Sequence, residues 1–371
     1  MLASLYEPTF HLGVTTLCLL KGFMLMGNSG DTLVRPEVKS GNSLFIWLIA
    51  ITLGLWLGMR PPTYAFGDTG NYAVQYNLAL LSRDIAAPTP FSFSGEWAFG
   101  LIRDFCIGRG LSASTFFTII ALAYNLFVAW AAKKYCPSSP YLAFLFFISA
   151  LMFYHFCVNG MRNGLACHVM LLAIALILEE RYAAGVILCV LAAGIHKSSM
   201  LPLGALLASM VVFKHSRWPF YIWLGSIAAS LALGNSFAVF FAGLGFDDRM
   251  SDYVQTDQYS STYGEARFRW DFLIYSAGPV VMWWYVAVKR GLRDGWYNIL
   301  MSTYFLSNAF WVMIIRVAYS NRFAYLSWFL YPILIAYPLC NMKIWENQDS
   351  QAGKILIVYA GFTYFMCTFV W

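Results

Sequence analysis

Charged side chains are scarce in this chain of 371 residues: they make up 11% of the total, whereas 60% of the residues are apolar. Soluble globular domains typically carry about 25% charged residues. A chain so poor in charge cannot cover itself with a surface that water solvates, which excludes an ordinary soluble domain. The apolar residues are gathered into runs near the ~20 residues that a helix needs to cross a bilayer. The composition therefore predicts a membrane protein.

Cysteine pairs with metal or redox spacing are also missing. The eight cysteines are scattered, mostly within apolar runs, and no two form a Cys-x-x-Cys pair. Cysteines with this distribution are interpreted as small buried apolar side chains, so no disulfide framework is expected. No cluster of carboxylates has the spacing of metal ligands, so no metal or cofactor is expected either. The net charge of +6 does not indicate a nucleic-acid partner.

The apolar runs are continuous and do not alternate with polar residues, which favours helices over strands. The pattern predicts an all-α polytopic protein of about eleven or twelve transmembrane helices, with residues 43–371 forming a single transmembrane domain. The chain shows no internal repeat. The predicted spans are 43–59, 112–132, 139–158, 161–178, 182–196, 199–213, 218–242, 271–288, 296–315, 323–340 and 355–371.

Three segments between or before these spans need separate interpretation. Two long polar connections lie at about 60–111 and 243–270. Within the first, the run 97–109 carries several charged residues, which predicts a re-entrant or interfacial segment. In the N-terminal segment 1–42, the stretch 11–27 is either a further span or an interfacial helix.

The short loops predict the orientation of the chain. Lys and Arg are enriched in short cytoplasmic loops of membrane proteins, and the short connections on one side of the predicted spans are basic. Both long loops then lie on the extracytoplasmic side. The polar residues at span ends that share this outer side are Arg60, Asp68, Arg162, His196, Lys197, Arg316 and Arg322.

The first outer-side motif runs from Arg60 through a Pro- and Gly-rich turn to Asp68-Thr-Gly-Asn71-Tyr72. Asp68 could hold or deprotonate a sugar hydroxyl while Tyr72 stacks on the sugar. The alternative is an Arg that reaches the interface from a helix end and an Asp that caps the next helix.

The second motif is Asn159-Gly-Met-Arg162-Asn163, between two apolar runs. Placing an ionisable residue near the membrane costs free energy, so such a residue is a candidate for a functional role. The planar guanidinium of Arg suits the binding of phosphate. The alternative is again an Arg that reaches the interface. His168, inside the next span, is interpreted as a satisfied core histidine.

The third motif is His196-Lys197-Ser198-Ser199, at a turn after a short apolar run. Its cations and the N-terminus of the following helix could bind an anionic group, with the two serines donating hydrogen bonds. The alternative is a plain interfacial turn.

Two further regions carry charge beside tyrosine. Arg316 and Arg322 flank a turn before Tyr325, and the two Arg could grip one pyrophosphate or else reach the interface. In the loop 243–270, charge interleaved with tyrosine suits carbohydrate, and a solvated loop is the alternative. The residues of this loop are Asp247, Asp248, Arg249, Tyr253, Tyr259, Tyr263, Glu265, Arg267 and Arg269.

The motifs together resemble the EpsG-type branch of Wzy-like polysaccharide polymerases over roughly residues 44–340. The resemblance lies in Asp68-Thr-Gly-Asn71-Tyr72, in the Arg162 motif, and in the His-x-Ser-type element 34 positions after Arg162, before a Leu-Pro pair. Asn163 stands where the family usually has Gln, and Lys197 precedes the two serines.

This resemblance implies a glycosyltransferase that polymerises undecaprenyl-pyrophosphate-linked repeat units of O-antigen, capsule or exopolysaccharide. The implied location is the outer face of a bacterial inner membrane, and the implied fold is related to integral-membrane glycosyltransferases. Partners would be the lipid-linked donor and acceptor, the bilayer, and a chain-length regulator and a flippase of the same pathway. Asp68, Arg162, His196 and Arg322 are the implied catalytic residues. The implied substrate-binding residues are Arg60, Asn71, Tyr72, Asn159, Asn163, Lys197, Ser198, Ser199, Arg249, Tyr253, Glu265, Arg267, Arg316 and Tyr325.

Two other functions share part of this pattern. A flippase for a lipid-linked sugar would use the same substrate, but it predicts ionisable residues near the midplane of several helices or two matching halves. A membrane O-acyltransferase acting on polysaccharide would use a histidine such as His196, but it leaves the outer arginines unexplained.

Overall fold

The computed structural model describes residues 2–28, 30–34, 43–83, 92–93, 95–234, 236–243, 268–317 and 319–370. Within these ranges every regular element is a helix and there is no strand, which confirms the all-α fold class. Six of the described helical segments are long and apolar enough to cross a membrane, as expected of a multi-pass protein. These segments are Ala3–Met26, Ala113–Tyr135, Met161–Leu178, Trp270–Lys289, Ser320–Asn341 and Gln348–Val370.

The chain divides into two compact units. The first comprises Met1–His196 and Ile335–Trp371, and the second comprises Lys197–Leu334. The α-helices are, in chain order, α1 (Ala3–Met26), α2 (Ser43–Gly58), α3 (Asp68–Ser82), α4 (Trp97–Gly108), α5 (Ala113–Tyr135), α6 (Pro140–Ile148), α7 (Phe153–Val158), α8 (Met161–Leu178), α9 (Tyr182–Ile195), α10 (Met200–Val211), α11 (Trp218–Leu233), α12 (Ser236–Gly243), α13 (Trp270–Trp283), α14 (Gly295–Met313), α15 (Ser320–Trp328), α16 (Tyr331–Asn341) and α17 (Gln348–Phe365).

The core of the first unit is built around α8, which is apolar on every side and almost wholly buried. Helices α5, α7 and α9 pack against it, and α2 packs against α5. A helix that is hydrophobic all round belongs in the interior of a large or membrane-embedded protein. At the periphery α1 packs against α17, where Gly22 and Gly353 face each other so closely that a Cβ on Gly353 would lie 2.5 Å from the Gly22 carbonyl oxygen.

Two predicted spans are interrupted. The predicted span 139–158 divides into α6 and α7 at Ser149, whose hydroxyl donates a hydrogen bond to the Leu145 carbonyl at 2.6 Å. Such a bond offers the backbone an alternative to continuing the helix. The predicted span 218–242 divides at Gly234, whose φ of +57° ends α11. Hydropathy does not predict either break, because the residues on both sides of each break are apolar.

The connection predicted as a long polar loop at 60–111 contains two helices, α3 and α4. Helix α4 occupies most of the run 97–109 and is not among the six candidate spans. Its Arg103 and Asp104 form an exposed ion pair of 2.8 Å. The prediction that this run is interfacial or re-entrant therefore remains a prediction.

The first unit has two ends, separated by the length of α8. Helix α8 begins beside Arg162, ends beside Glu179, and at 1.5 Å per residue is about 27 Å long. At the end with Glu179, polar contacts hold neighbouring segments together. One of them is a Lys134–Glu179 ion pair of 2.7 Å. There the Asp349 carboxylate accepts hydrogen bonds from the backbone N–H groups of Thr32 and Leu33, both at 3.1 Å.

The second unit has a buried polar network at its centre. The Trp223 indole donates to the Asn308 side-chain oxygen at 2.7 Å, and the Asn308 amide donates to Ser327 at 2.9 Å. The Trp328 indole donates to the Ser276 hydroxyl at 2.7 Å. Because these groups are removed from water, each needs such a partner, and the network fixes how α11, α13, α14 and α15 meet.

Candidate functional site

Arg162 lies in the first turn of α8 and is held by aromatic and acidic side chains. Its Nε donates to the Tyr72 hydroxyl at 2.6 Å, and its Nη1 pairs with the Glu96 carboxylate. The guanidinium carbon lies 5.3 Å from the Tyr72 ring centroid and 5.9 Å from that of Phe99. These contacts hold the guanidinium of Arg162 against α3 and α4. Its position is therefore set by protein groups and not only by extension of the side chain toward the membrane interface.

Glu96 connects the beginning of α8 with the end of α9. One carboxylate oxygen pairs with Arg162, and the other pairs with Nδ1 of His196. The side chains of Arg162, His196 and Glu96 are 21%, 18% and 20% exposed, so the triad is enclosed but still reachable from solvent. The structure thus brings together two basic residues that the sequence predicted as catalytic, through a carboxylate that it did not predict.

The electrostatics of Glu96 follow from this arrangement. Burial alone would raise the pKa of the Glu96 carboxyl, but the hydrogen bond and charge of His196, followed by the charge of Arg162, outweigh burial and hold the pKa below its usual value. The carboxylate is therefore ionised at neutral pH. Its negative charge complements the guanidinium at a site partly removed from water, where charge pairing is stronger than in bulk solvent.

The approach of α4 to α9 depends on a glycine. A Cβ at Gly194 would collide with the indole of Trp97, the residue after Glu96. The absence of a side chain at Gly194 lets the start of α4 lie against the last turn of α9. This close approach places Glu96 within reach of His196.

Asp68 is the first residue of α3, the helix whose Tyr72 contacts Arg162. Its backbone N–H donates to the Asn159 side-chain oxygen at 2.8 Å. The N-cap position is taken by Gly67, whose φ is +62°. A Cβ at this position would collide with the side-chain amide of Asn159. Asp68 is therefore not the helix cap, and its carboxylate lies in the first turn, where the helix dipole favours negative charge. Tyr72 is one turn further along the same face of α3.

Arg60 is completely buried and its fork is occupied by protein acceptors. Nη2 donates to the Thr69 hydroxyl and to the Val158 carbonyl, both at 2.9 Å, and Nη1 donates to the Leu57 carbonyl at 2.8 Å. These bonds join α2, α3 and the end of α7. Arg60 positions the segments that carry Asp68 and Asn159, and its contact with substrate stays a prediction.

The two predicted asparagines of the first unit differ in exposure. Asn71 is exposed on α3, whereas Asn163 is buried and accepts a hydrogen bond from the Cys167 thiol at 3.2 Å. His168 is also buried, with its ring 4.1 Å from that of Tyr124, as expected of a core histidine.

The remaining described candidates belong to the second unit. Lys197 is exposed at the start of a short 3₁₀ turn, Ser198 is half-buried and Ser199 is buried. The half-buried guanidinium of Arg316 lies 5.4 Å from the Phe268 ring centroid, and Arg322 lies 5.0 Å from that of Tyr319. Tyr325 is buried in α15.

Most candidates of the loop 243–270 fall outside the described residues. They are the predicted binding residues Arg249, Tyr253, Glu265 and Arg267, together with Asp247, Asp248, Tyr259 and Tyr263.

Sequence reasoning missed Glu96, the residue on which the triad depends. Glu96 lies 66 positions before Arg162 and 100 positions before His196, and no spacing rule joins residues so far apart. The available signal was weak: one acidic residue directly before an apolar run, on the predicted outer side. Chemically, the triad places one carboxylate between a guanidinium and an imidazole at a partly exposed position.

Comparisons with known proteins place the chain in a family. No curated protein and no solved structure matches the chain. A family model described as the EpsG family matches residues 44–371, which is most of the chain and includes every residue of the triad. This family suggests a function of the polysaccharide-polymerase type and implies an enzyme of polysaccharide biosynthesis. By that match and by the motifs it spans, the chain belongs to the EpsG family.

Proposed function

We propose that the protein is a glycosyltransferase that polymerises undecaprenyl-pyrophosphate-linked oligosaccharide units at the outer face of the bacterial inner membrane. The observation that carries the proposal is the shared carboxylate of Glu96, which pairs with Arg162 and His196 at once. The short basic loops on the opposite side of the predicted spans support the outward orientation.

A pyrophosphate is a suitable competitor for Glu96. It carries more negative charge than a carboxylate, and the planar guanidinium of Arg162 can donate two parallel hydrogen bonds to phosphate oxygens. The three side chains are about one-fifth exposed, so an incoming anion can reach them without unfolding the unit. In this proposal Glu96 keeps Arg162 and His196 in position until the substrate diphosphate replaces it.

The reaction follows from what these groups can do. A sugar hydroxyl of the acceptor unit attacks the anomeric carbon of the donor chain, and the bond between that carbon and the pyrophosphate oxygen breaks. The electron pair leaves with the undecaprenyl pyrophosphate, whose growing charge Arg162 stabilises. The proton of the hydroxyl goes to a base, for which Asp68 is the candidate because it is half-buried and lies one turn before Tyr72, the partner of Arg162.

His196 has a supporting role in this scheme. Its Nδ1 faces Glu96, so the carboxylate orients the ring. When the diphosphate displaces Glu96, the imidazole is left to donate a hydrogen bond to a phosphate oxygen. The lipid tail of the substrate explains the membrane location, and the ring of Tyr72 beside Asp68 suits stacking on a sugar face.

The test is chain-length profiling of the surface glycan in cells that carry Arg162→Ala or His196→Ala. We expect single repeat units in place of long chains at normal protein level. Arg103→Ala is the matched control, because Arg103 is exposed on α4 and pairs only with its neighbour Asp104 in the described structure. Full-length polymer from both site variants would overturn the proposal.

The same profile separates the other functions. A flippase defect would leave no repeat units outside the membrane, whereas an acyltransferase defect would leave chain length unchanged and remove acyl groups. Either result in a deletion strain would contradict polymerisation.

A further inference from the structure

A second polar cluster lies in the first unit and takes no part in the proposed reaction. Glu7 and His11 are one turn apart on α1, and Cys367 lies in the π-helical turn Met366–Val370 that follows α17. One ligand-type atom from each of these residues lies within 4.8 Å of the other two. His155 of α7 also reaches the cluster, with Nε2 at 3.2 Å from the Glu7 Oε1.

The three ligand-type atoms, at most 4.8 Å apart, lie close to the spacing of ligands that share one ion. Zinc binds oxygen and nitrogen at about 2.0–2.2 Å and sulfur at about 2.3 Å in a tetrahedron, so its ligand atoms are about 3.3–3.8 Å apart. Nε2 of His11 lies 3.7 Å from the Glu7 Oε1, too far for a hydrogen bond. His11 is only 3% exposed, and within the described residues its Nε2 has no hydrogen-bond partner. A buried imidazole nitrogen left this way has an unmet demand for a ligand.

A cavity opens onto the cluster. It has a volume of about 520 Å³ and is lined by Glu7, His155 and Cys367, together with Gly67 and Asn159 of the candidate site. It gives an ion a route to Glu7 and Cys367, and it leaves room for a water molecule as the fourth ligand.

We propose that Glu7, His11 and Cys367 bind one divalent ion of the zinc class, with a water molecule from the cavity as the fourth ligand. A carboxylate, an imidazole and a thiolate form a mixed set that suits zinc-type ions better than calcium or magnesium, which prefer oxygen ligands alone. His155 does not need to bind the ion, because its Nε2 contacts the Glu7 carboxylate at 3.2 Å and can support that residue as a ligating acid.

The ion would have a structural effect at this end of the unit. It would tie α1 to the C-terminal helical segment, while His155 ties Glu7 to α7, the helix that leads to Asn159. Asn159 holds the backbone of Asp68. Metal binding therefore would stabilise the walls of the candidate site without touching the substrate.

The test is a cobalt titration of the purified full-length protein after treatment with a chelator. We expect one equivalent of Co²⁺ to bind, with ligand-field bands in the visible and a thiolate-to-cobalt band in the near ultraviolet. Cys367→Ser should abolish the thiolate band, and His155→Ala should weaken binding about 10- to 100-fold. Cys189→Ser is the matched control, because Cys189 is a buried thiol of α9 outside the cluster. Absence of the thiolate band in the wild type, or its persistence in Cys367→Ser, would overturn the proposal.

A second measurement uses the unmodified protein and so does not depend on the folding of a variant. Alkylation of Cys367 should be at least tenfold slower with Zn²⁺ present than with a chelator, as read by mass spectrometry of the labelled peptide. Equal rates would count against the site. Both measurements report metal binding alone, so their outcome does not depend on whether the protein polymerises glycan.

Discussion

Asp349 and Glu96 are two carboxylates of the same unit whose surroundings differ in kind. Asp349 is fully buried and accepts hydrogen bonds from two backbone N–H groups as well as from the Thr32 hydroxyl. Glu96 is 20% exposed and is held by Arg162 and His196, both of which are side chains on helix ends. Two of the partners of Asp349 are backbone N–H groups, which cannot leave without local unfolding. In the proposed function the side chains that hold Glu96 exchange it for the substrate diphosphate, whereas the partners of Asp349 stay in place.

The largest effect expected from this comparison is on turnover. Replacing Arg162 with Ala removes the guanidinium that pairs with Glu96, and we expect the polymerisation rate to fall by about 10²–10³, as for loss of a donor to a developing negative charge. Arg162→Lys should recover part of this rate, because it keeps the charge but not the fork. The measurement is a polymerisation assay with lipid-linked repeat units in membranes. Equal activity of the Ala and Lys variants would show that the charge of Arg162 is not used.

The next effect is on stability. Asp349→Ala leaves the buried backbone N–H groups of Thr32 and Leu33 without their acceptor, and we expect the free energy of unfolding to fall by about 2 kcal/mol or more. Thermal unfolding in detergent measures this, with the exposed Asp104→Ala as the control. Because Asp349 is at the far end of α8, turnover at permissive temperature should be unchanged. A stable Asp349→Ala variant with low activity would reverse the assignment of roles to the two ends.

A smaller effect is expected from packing at the triad. Gly194→Ala places a Cβ against the Trp97 indole, and such overpacking typically costs about 1–3 kcal/mol. The displaced indole should carry Glu96 away from His196 and lower the polymerisation rate about tenfold. Gly204→Ala, in a helix position where a Cβ meets nothing within 4 Å, is the matched control. An equal polymerisation rate in Gly194→Ala and Gly204→Ala would show that the close approach of Gly194 to Trp97 does not affect the site.

The smallest effect is a dependence on pH. The pKa of Glu96 is lowered in the folded protein because the favourable interactions with His196 and Arg162 exceed the cost of burial. The ionised carboxylate thus stabilises the fold above the unfolded pKa of about 4.3 and loses this contribution as the pH falls through the lower folded value. The difference in unfolding midpoint between wild type and Glu96→Gln should therefore shrink in acid. A difference that stays constant between neutral pH and acid would show that the charge of Glu96 is not involved.

Residue patterns within a single segment could be interpreted from the sequence. The all-α membrane class was predictable because hydropathy is a sum over neighbouring residues, and the Arg162 and His196 motifs were recognisable because each is a short run. The breaks at Ser149 and Gly234 could not be predicted from hydropathy, because the residues around them are apolar and only the backbone departs from the helix. The complete burial of Arg60 was also missed, because its acceptors come from α3 and α7.

The sequence by itself determined that this chain enters a membrane as helices and that its unusual cations stand at helix ends. Only the tertiary structure decided that Glu96 lies between Arg162 and His196, and that Glu7 and His11 meet Cys367 from the other end of the chain. The physical reason is that helix formation and membrane entry depend on local composition, whereas a site depends on which helix ends pack together. That packing follows from close approaches such as that of Gly194 to Trp97, for which no local pattern exists.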